Sequence, residues 1–157
     1  MSPMTHNLTA TALAVGVFAV LPVHQAAEFG FGCLLGARAP DWLEIAGYNR
    51  MTAHRWSLIS HRTLTPWSWL WMMLLILTVP AVLSGSQGAL GATGFTVGCL
   101  LHIGMDYLTP MGVPLGINPF GERSSLKLVR TGSINEVLVI LTAFVLAGVL
   151  WSIAAVF

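Results

Sequence analysis

From Val137 to Phe157 the chain runs for 21 residues without a charged side chain. A helix of that length covers about 30 Å, the thickness of a bilayer's hydrocarbon core. In lipid, every backbone amide and carbonyl must find its partner inside the segment, and a helix meets that demand. The stretch from about Ile134 to Phe157 is therefore expected to span a membrane, and composition extends this reading to the whole chain. Of 157 residues, 55% are hydrophobic and 8% charged, where soluble domains carry roughly 25% charged residues. Mean hydropathy is +0.78. The expectation is a single integral-membrane domain covering residues 1–157. A net charge of +1 gives no basis for nucleic-acid binding. Cys33 and Cys99 each lie inside an apolar run and read as free, packed thiols. The first seven residues hold no Lys or Arg, and apolar segments follow one another, unlike a cleaved signal peptide.

Taken in order, the apolar segments cover about 8–21, 25–37, 67–83, 89–108 and 134–157. The first stops at Pro22, and the second carries Gly32-x-x-x-Gly36, a face for close helix packing. Residues 38–66 form a polar stretch with four arginines. The third segment opens at Thr65-Pro66, a capping residue followed by proline in the first turn. Its start, Trp67-Ser68-Trp69-Leu70-Trp71, reads as an interfacial aromatic belt. A tight turn at 84–88 leads into the fourth segment, which holds Gly94-x-x-x-Gly98. A polar loop follows at 109–132. The fold class expected is an all-α membrane protein, a bundle of about five apolar helices joined by polar loops. Threading the five segments up and down puts all seven basic residues, Arg38, Arg50, Arg55, Arg62, Arg123, Lys127 and Arg130, on one side. The positive-inside rule makes that side cytoplasmic, together with the N-terminus.

The same threading gathers the chemistry. His102 and Asp106 are four residues apart on the fourth segment, so they share a helix face one turn apart. Ionisable groups at that depth mark a functional site or a buried pair. His6, Asp41, Glu44, His61 and Glu136 fall at the same cytoplasmic end, whereas His24 and Glu28 fall at the other. Imidazole and carboxylate groups together suit zinc and its neighbours among divalent metals, and two metals can share such a cluster. Each residue also has a structural counterpart. His102 with Asp106 can simply pin two helices, and Asp41 after Ala39-Pro40 can be a turn or cap residue. Glu44 and His54 can be solvated, His61 can sit at the interface, and His6 lies near a terminus. Ser133-Ile134-Asn135-Glu136 fits a capping box. Cys99, three residues before His102, reads as packing.

Several of these pieces recur together in a known family. Met4-Thr5-His6, Ala39-Pro40-Asp41 with Glu44, His61-Arg62-Thr63-Leu64-Thr65, His102-x-x-x-Asp106, Leu108-Thr109-Pro110-Met111-Gly112-Val113-Pro114, Asn118-Pro119-Phe120 and Arg130-Thr131-Gly132-Ser133-x-x-Glu136 resemble the YdjM-like family of bacterial inner-membrane proteins. The resemblance runs from His6 to Glu136 and implies a metal-dependent hydrolase. That family is similar at long range to zinc-dependent phospholipase C and P1-type nucleases, which implies phosphoester chemistry. One position departs from the pattern: the family continues His-Arg-x-x-Thr with a second histidine, and here Pro66 stands there. Residues and resemblance together give one reading. A divalent metal, zinc by preference, is held by His6, Asp41, His61, His102 and Asp106. Metal-activated water would attack a phosphoester of a membrane lipid or lipid-linked substrate, with Glu44 or Glu136 as general base and Arg62 on the phosphate. The alternative is a non-catalytic membrane scaffold or partner-binding subunit that keeps a structural metal or a polar cluster.

Overall fold

A computed structural model describes residues 1–42, 45–49, 51–52, 54–59, 68–86, 88–114 and 122–156. Among the described residues five helices make the framework: α1 (Pro3–Val17), α2 (Val23–Trp42), α3 (Ser68–Leu83), α4 (Ala89–Tyr107) and α5 (Ile134–Ala154). Two short antiparallel strand pairs, β1 (Ile45–Asn49) with β2 (His54–Ile59) and β3 (Val113–Pro114) with β4 (Arg123–Ser124), lie in the connections. In the first pair Ala46 faces Ser57 and Asn49 faces His54, with a bulge between Ile45 and Ala46.

Two helices differ from the bounds that hydropathy suggests. The first begins at Pro3 rather than near Leu8, because Ser2 caps it and accepts the amide of Thr5, while Pro3 sits in the first turn, where no donor is needed. The second continues past Ala37 to Trp42, with Pro40 inside its last turn. Polar residues end an apolar run without ending a helix. Here the Arg38 guanidinium lies 5.5 Å from the centroid of the Trp42 ring, one turn on, a cation–π contact that suits helical spacing. Part of the polar stretch at 38–66 is thus helix and part is a strand pair, where a plain loop was expected. The third helix ends in a Schellman turn. Ser86 N–H donates to Ala81 O and Gly85 N–H to Val82 O, with Gly85 at φ +74°, a conformation suited to glycine.

Helices α2 and α4 are the central pair; α1 packs on α2, α3 on α4, and α5 on α1. The two expected small-residue motifs meet in the central contact. A Cβ at Gly36 would overlap the carbonyl oxygen of Phe95, and one at Gly32 that of Gly91. From the other side, Gly94 lies against the carbonyl of Phe29 and Gly98 against that of Cys33. Only glycine lets backbones approach so closely. Around this seam Ala10, Cys33 and Ala37 are buried, flanked by Leu13, Phe29, Leu34 and Leu101. At the far end Glu28 accepts the amide of Gly91 at 3.2 Å, satisfying an orphan donor in the first turn of α4. On α5, Leu138, Leu141, Val145 and Leu146 are exposed around the helix, and by length and composition α5 can cross a membrane.

Candidate metal centre

Local chemistry fixes where each side chain of the centre points. On α1, His6 lies one turn after the Ser2 cap. That first turn is clamped by Glu136 of α5, which accepts hydrogen bonds from the amide of Ser2 at 2.7 Å, the hydroxyl of Thr5 and the amide of Gly132 at 2.6 Å. On α4, the Nδ1 of His102 lies 2.7 Å from the carbonyl oxygen of Ala37. A carbonyl can only accept, so Nδ1 carries a proton and donates, and Nε2 is the nitrogen that faces the cluster. Such backbone anchoring of one imidazole nitrogen is how ligating histidines are commonly held.

The three side chains meet closely. His6 and His102 stack with ring centroids 3.9 Å apart and an interplanar angle of 8°. Asp106 bridges them: Oδ1 is 3.5 Å from His6 Nε2 and Oδ2 is 3.6 Å from His102 Nε2. The amino group of Met1 lies 2.8 Å from the same Oδ1. One ligand atom from each of His6, His102 and Asp106 lies within 4.8 Å of the others. Both histidines are buried, and Nδ1 of His6 has no hydrogen-bond partner among the described residues. Asp41, at the end of α2, stands at the edge, with Oδ1 3.9 Å from His102 Nε2 and its side chain 39% exposed.

These residues line one cavity of about 380 Å³, together with Met1, Pro3, Thr109, Pro110, Met111, Arg130 and Thr131. Four of the five expected ligands, His6, Asp41, His102 and Asp106, therefore share it. His61, Glu44, Arg62 and Pro66 lie outside the described residues. Glu136 does not line this cavity; both its oxygens are engaged on the turn that starts α1 and on Gly132. The expected capping box does not form either, because Glu136 reaches Gly132 rather than Ser133, whose hydroxyl donates to Arg130 O.

Arg130 and Thr131 were not expected at the site. They arrive through main-chain bonding: Leu126 N–H donates to Tyr107 O, while Leu128 and Val129 N–H donate to Leu108 O. The segment thereby ties onto the last turn of α4, satisfying helix-end carbonyls, and carries Arg130 to the cavity wall. Hydropathy holds no trace of this. The one available signal was the Arg130-Thr131-Gly132-Ser133 string before α5. Two imidazoles with a carboxylate form a donor set for zinc or a neighbouring divalent metal, and the guanidinium adds a group that grips phosphate or carboxylate.

A family model described as YdjM inner membrane protein matches residues 1–157. Neither a curated protein nor a solved structure matches this chain.

Proposed function

The chain belongs to the YdjM inner membrane protein family, and from that premise we propose that it is a multi-pass, metal-dependent hydrolase acting on a phosphoester of a membrane lipid. His6, His102 and Asp106 hold the cation, with Asp41 completing the set from the cavity edge and His61 as a further ligand. Zinc is the cation this donor set favours. One observation carries the reading: His102 is anchored through Nδ1 on Ala37 O, which turns Nε2 towards Asp106, with the buried His6 ring stacked beside it.

A bound divalent cation supplies Lewis-acid activation of water and neutralises developing phosphoryl charge. The chain's own residues do the rest. Arg130, on the cavity wall, binds and orients the phosphate, with Arg62 as a second cation for it. Glu44, three residues after Asp41 in the sequence, takes up a proton from water as general base. Glu136 acts at a distance by fixing the first turn of α1 and hence His6. On this reading residues 1–157 are one domain, and the threading that puts all seven basic residues on one side favours a site and an N-terminus in the cytoplasm.

The non-catalytic reading draws on a different point. Asp106 already faces both imidazoles, so the trio can serve as a tie between α1 and α4. Elemental analysis of protein purified in mild detergent separates the two. We expect near-stoichiometric zinc in the wild type, loss of at least tenfold in His102→Ala and Asp106→Ala, and parallel loss of phosphoester hydrolysis. A folded wild type that stays metal-free after incubation with zinc would leave the tie as the better account.

A further inference from the structure

A second cavity, about 240 Å³, lies between α1, α4 and α5, further along α1 than the centre. Its α1 wall includes Thr9, Leu13 and Gly16, and its α4 wall is Leu101, adjacent to His102. His6, Thr9, Leu13 and Gly16 are spaced three, four and three residues apart, so they form one stripe along α1. The groove therefore begins about 4.5 Å below His6 along the axis and reaches about 15 Å, into the hydrocarbon of a bilayer. Its floor is closed where α1 meets α5: a Cβ on Gly16 would stand 3.4 Å from Leu150 Cδ1 and 3.5 Å from Ala147.

We infer that this groove holds one acyl chain of the lipid whose phosphate lies at Arg130, an inference that rests on the hydrolase reading above. Polarity along α1 matches such a molecule end for end, with imidazoles, carboxylates and a guanidinium at the top and alkyl side chains below. The groove lining offers no free side-chain donor, since the Thr9 hydroxyl donates to Thr5 O at 2.8 Å. A peptide strand at that depth would leave its amides without partners. A helix, about 10 Å across, cannot enter a space of 240 Å³. A second copy of this chain meets the same two objections, and a single alkyl chain meets neither.

The test is photo-crosslinking of the full-length protein in nanodiscs doped with phosphatidic acid carrying a diazirine midway along one acyl chain. Adducts should concentrate on Leu13, Leu146 and Leu150, and be several-fold rarer on Val145 and Leu138, which face the other way on α5. Ala143→Phe fills the groove and should lower the groove adducts about tenfold, the value of burying two methylenes. Leu146→Phe, at an exposed position on the groove wall, is a second filler that the fold tolerates. Both fillers should keep zinc binding and hydrolysis of a water-soluble short-chain phosphoester, while losing hydrolysis of the long-chain lipid. His102→Ala should keep the adducts. Equal labelling of Leu146 and Val145, unaffected by either filler, would mean ordinary annular lipid and overturn the inference. Groove-confined adducts without hydrolysis of any phosphoester would retire the hydrolase reading and leave the chain-binding groove standing.

Discussion

At His102 a single backbone carbonyl sets the ring's direction, because Ala37 O accepts a hydrogen bond from Nδ1–H and leaves the other nitrogen to the cluster. Glu136 plays a matching part for His6. Its carboxylate gathers the Ser2 amide and the Thr5 hydroxyl at the start of α1 and the Gly132 amide before α5, so Glu136→Ala removes the acceptor of buried and part-buried donors at a cost of about 1 kcal/mol. We expect that variant to unfold at lower temperature and to bind zinc more weakly, with helix content by circular dichroism unchanged below the transition. Glu136→Gln keeps one acceptor and should fall between. Unchanged zinc affinity in Glu136→Ala would mean that His6 needs no such clamp. Much of the centre is legible in sequence, since the i, i+4 spacing of His102 and Asp106 survives any packing of the helix. Asp41 and His6 become neighbours of that pair only once the segments are threaded. Arg130 was not legible, because main-chain bonds from Leu126, Leu128 and Val129 deliver it, and such bonds leave no pattern of residue types.

Among the elements, the α2–α4 seam was the most readable, since Gly32-x-x-x-Gly36 and Gly94-x-x-x-Gly98 announce themselves by spacing. Helix ends were less so. Hydropathy stops at the first polar residue, whereas α1 and α2 continue through Thr5-His6 and Arg38–Trp42 on the strength of capping and local contacts. The strand pair β1–β2 was missed because a polar, arginine-bearing segment gives no apolar alternation to follow. The seam makes a sharp prediction. At Gly36 or Gly98 a methyl group meets a backbone carbonyl that cannot move alone, so Gly36→Ala and Gly98→Ala should each destabilise the fold by about 1–3 kcal/mol. At Gly148 an added Cβ meets nothing within 4 Å, and Gly148→Ala should be neutral or add up to about 1 kcal/mol through helix propensity. Thermal unfolding in detergent reads all three. Equal behaviour at Gly148 and Gly98 would show that the backbones are not in contact.

For the whole molecule the question is orientation, and it bears directly on which compartment reaches the centre. The starts of α1 and α5 meet through Ser2 and Glu136, and the ends of α2 and α4 meet through Asp41, Ala37 and His102. One end of the fold thus collects the cavity, and Arg38, Arg123, Lys127 and Arg130 flank helix ends there. Basic residues near segment ends are retained in the cytoplasm, so the proposed topology has the centre on that side and α5 running outward from it. A topology reporter fused after Phe157 should therefore read as periplasmic, and one fused after Leu126, before α5, as cytoplasmic. Moving the bias should move the result: Arg123→Glu, Lys127→Glu and Arg130→Glu together weaken retention of that loop and should raise the share of molecules with inverted α5. Because Arg130 also lines the cavity, this triple variant is read by topology alone, not by activity. Two fusions reporting the same compartment would mean that α5 does not cross, and the cytoplasmic centre with its membrane-side groove would then need a different frame.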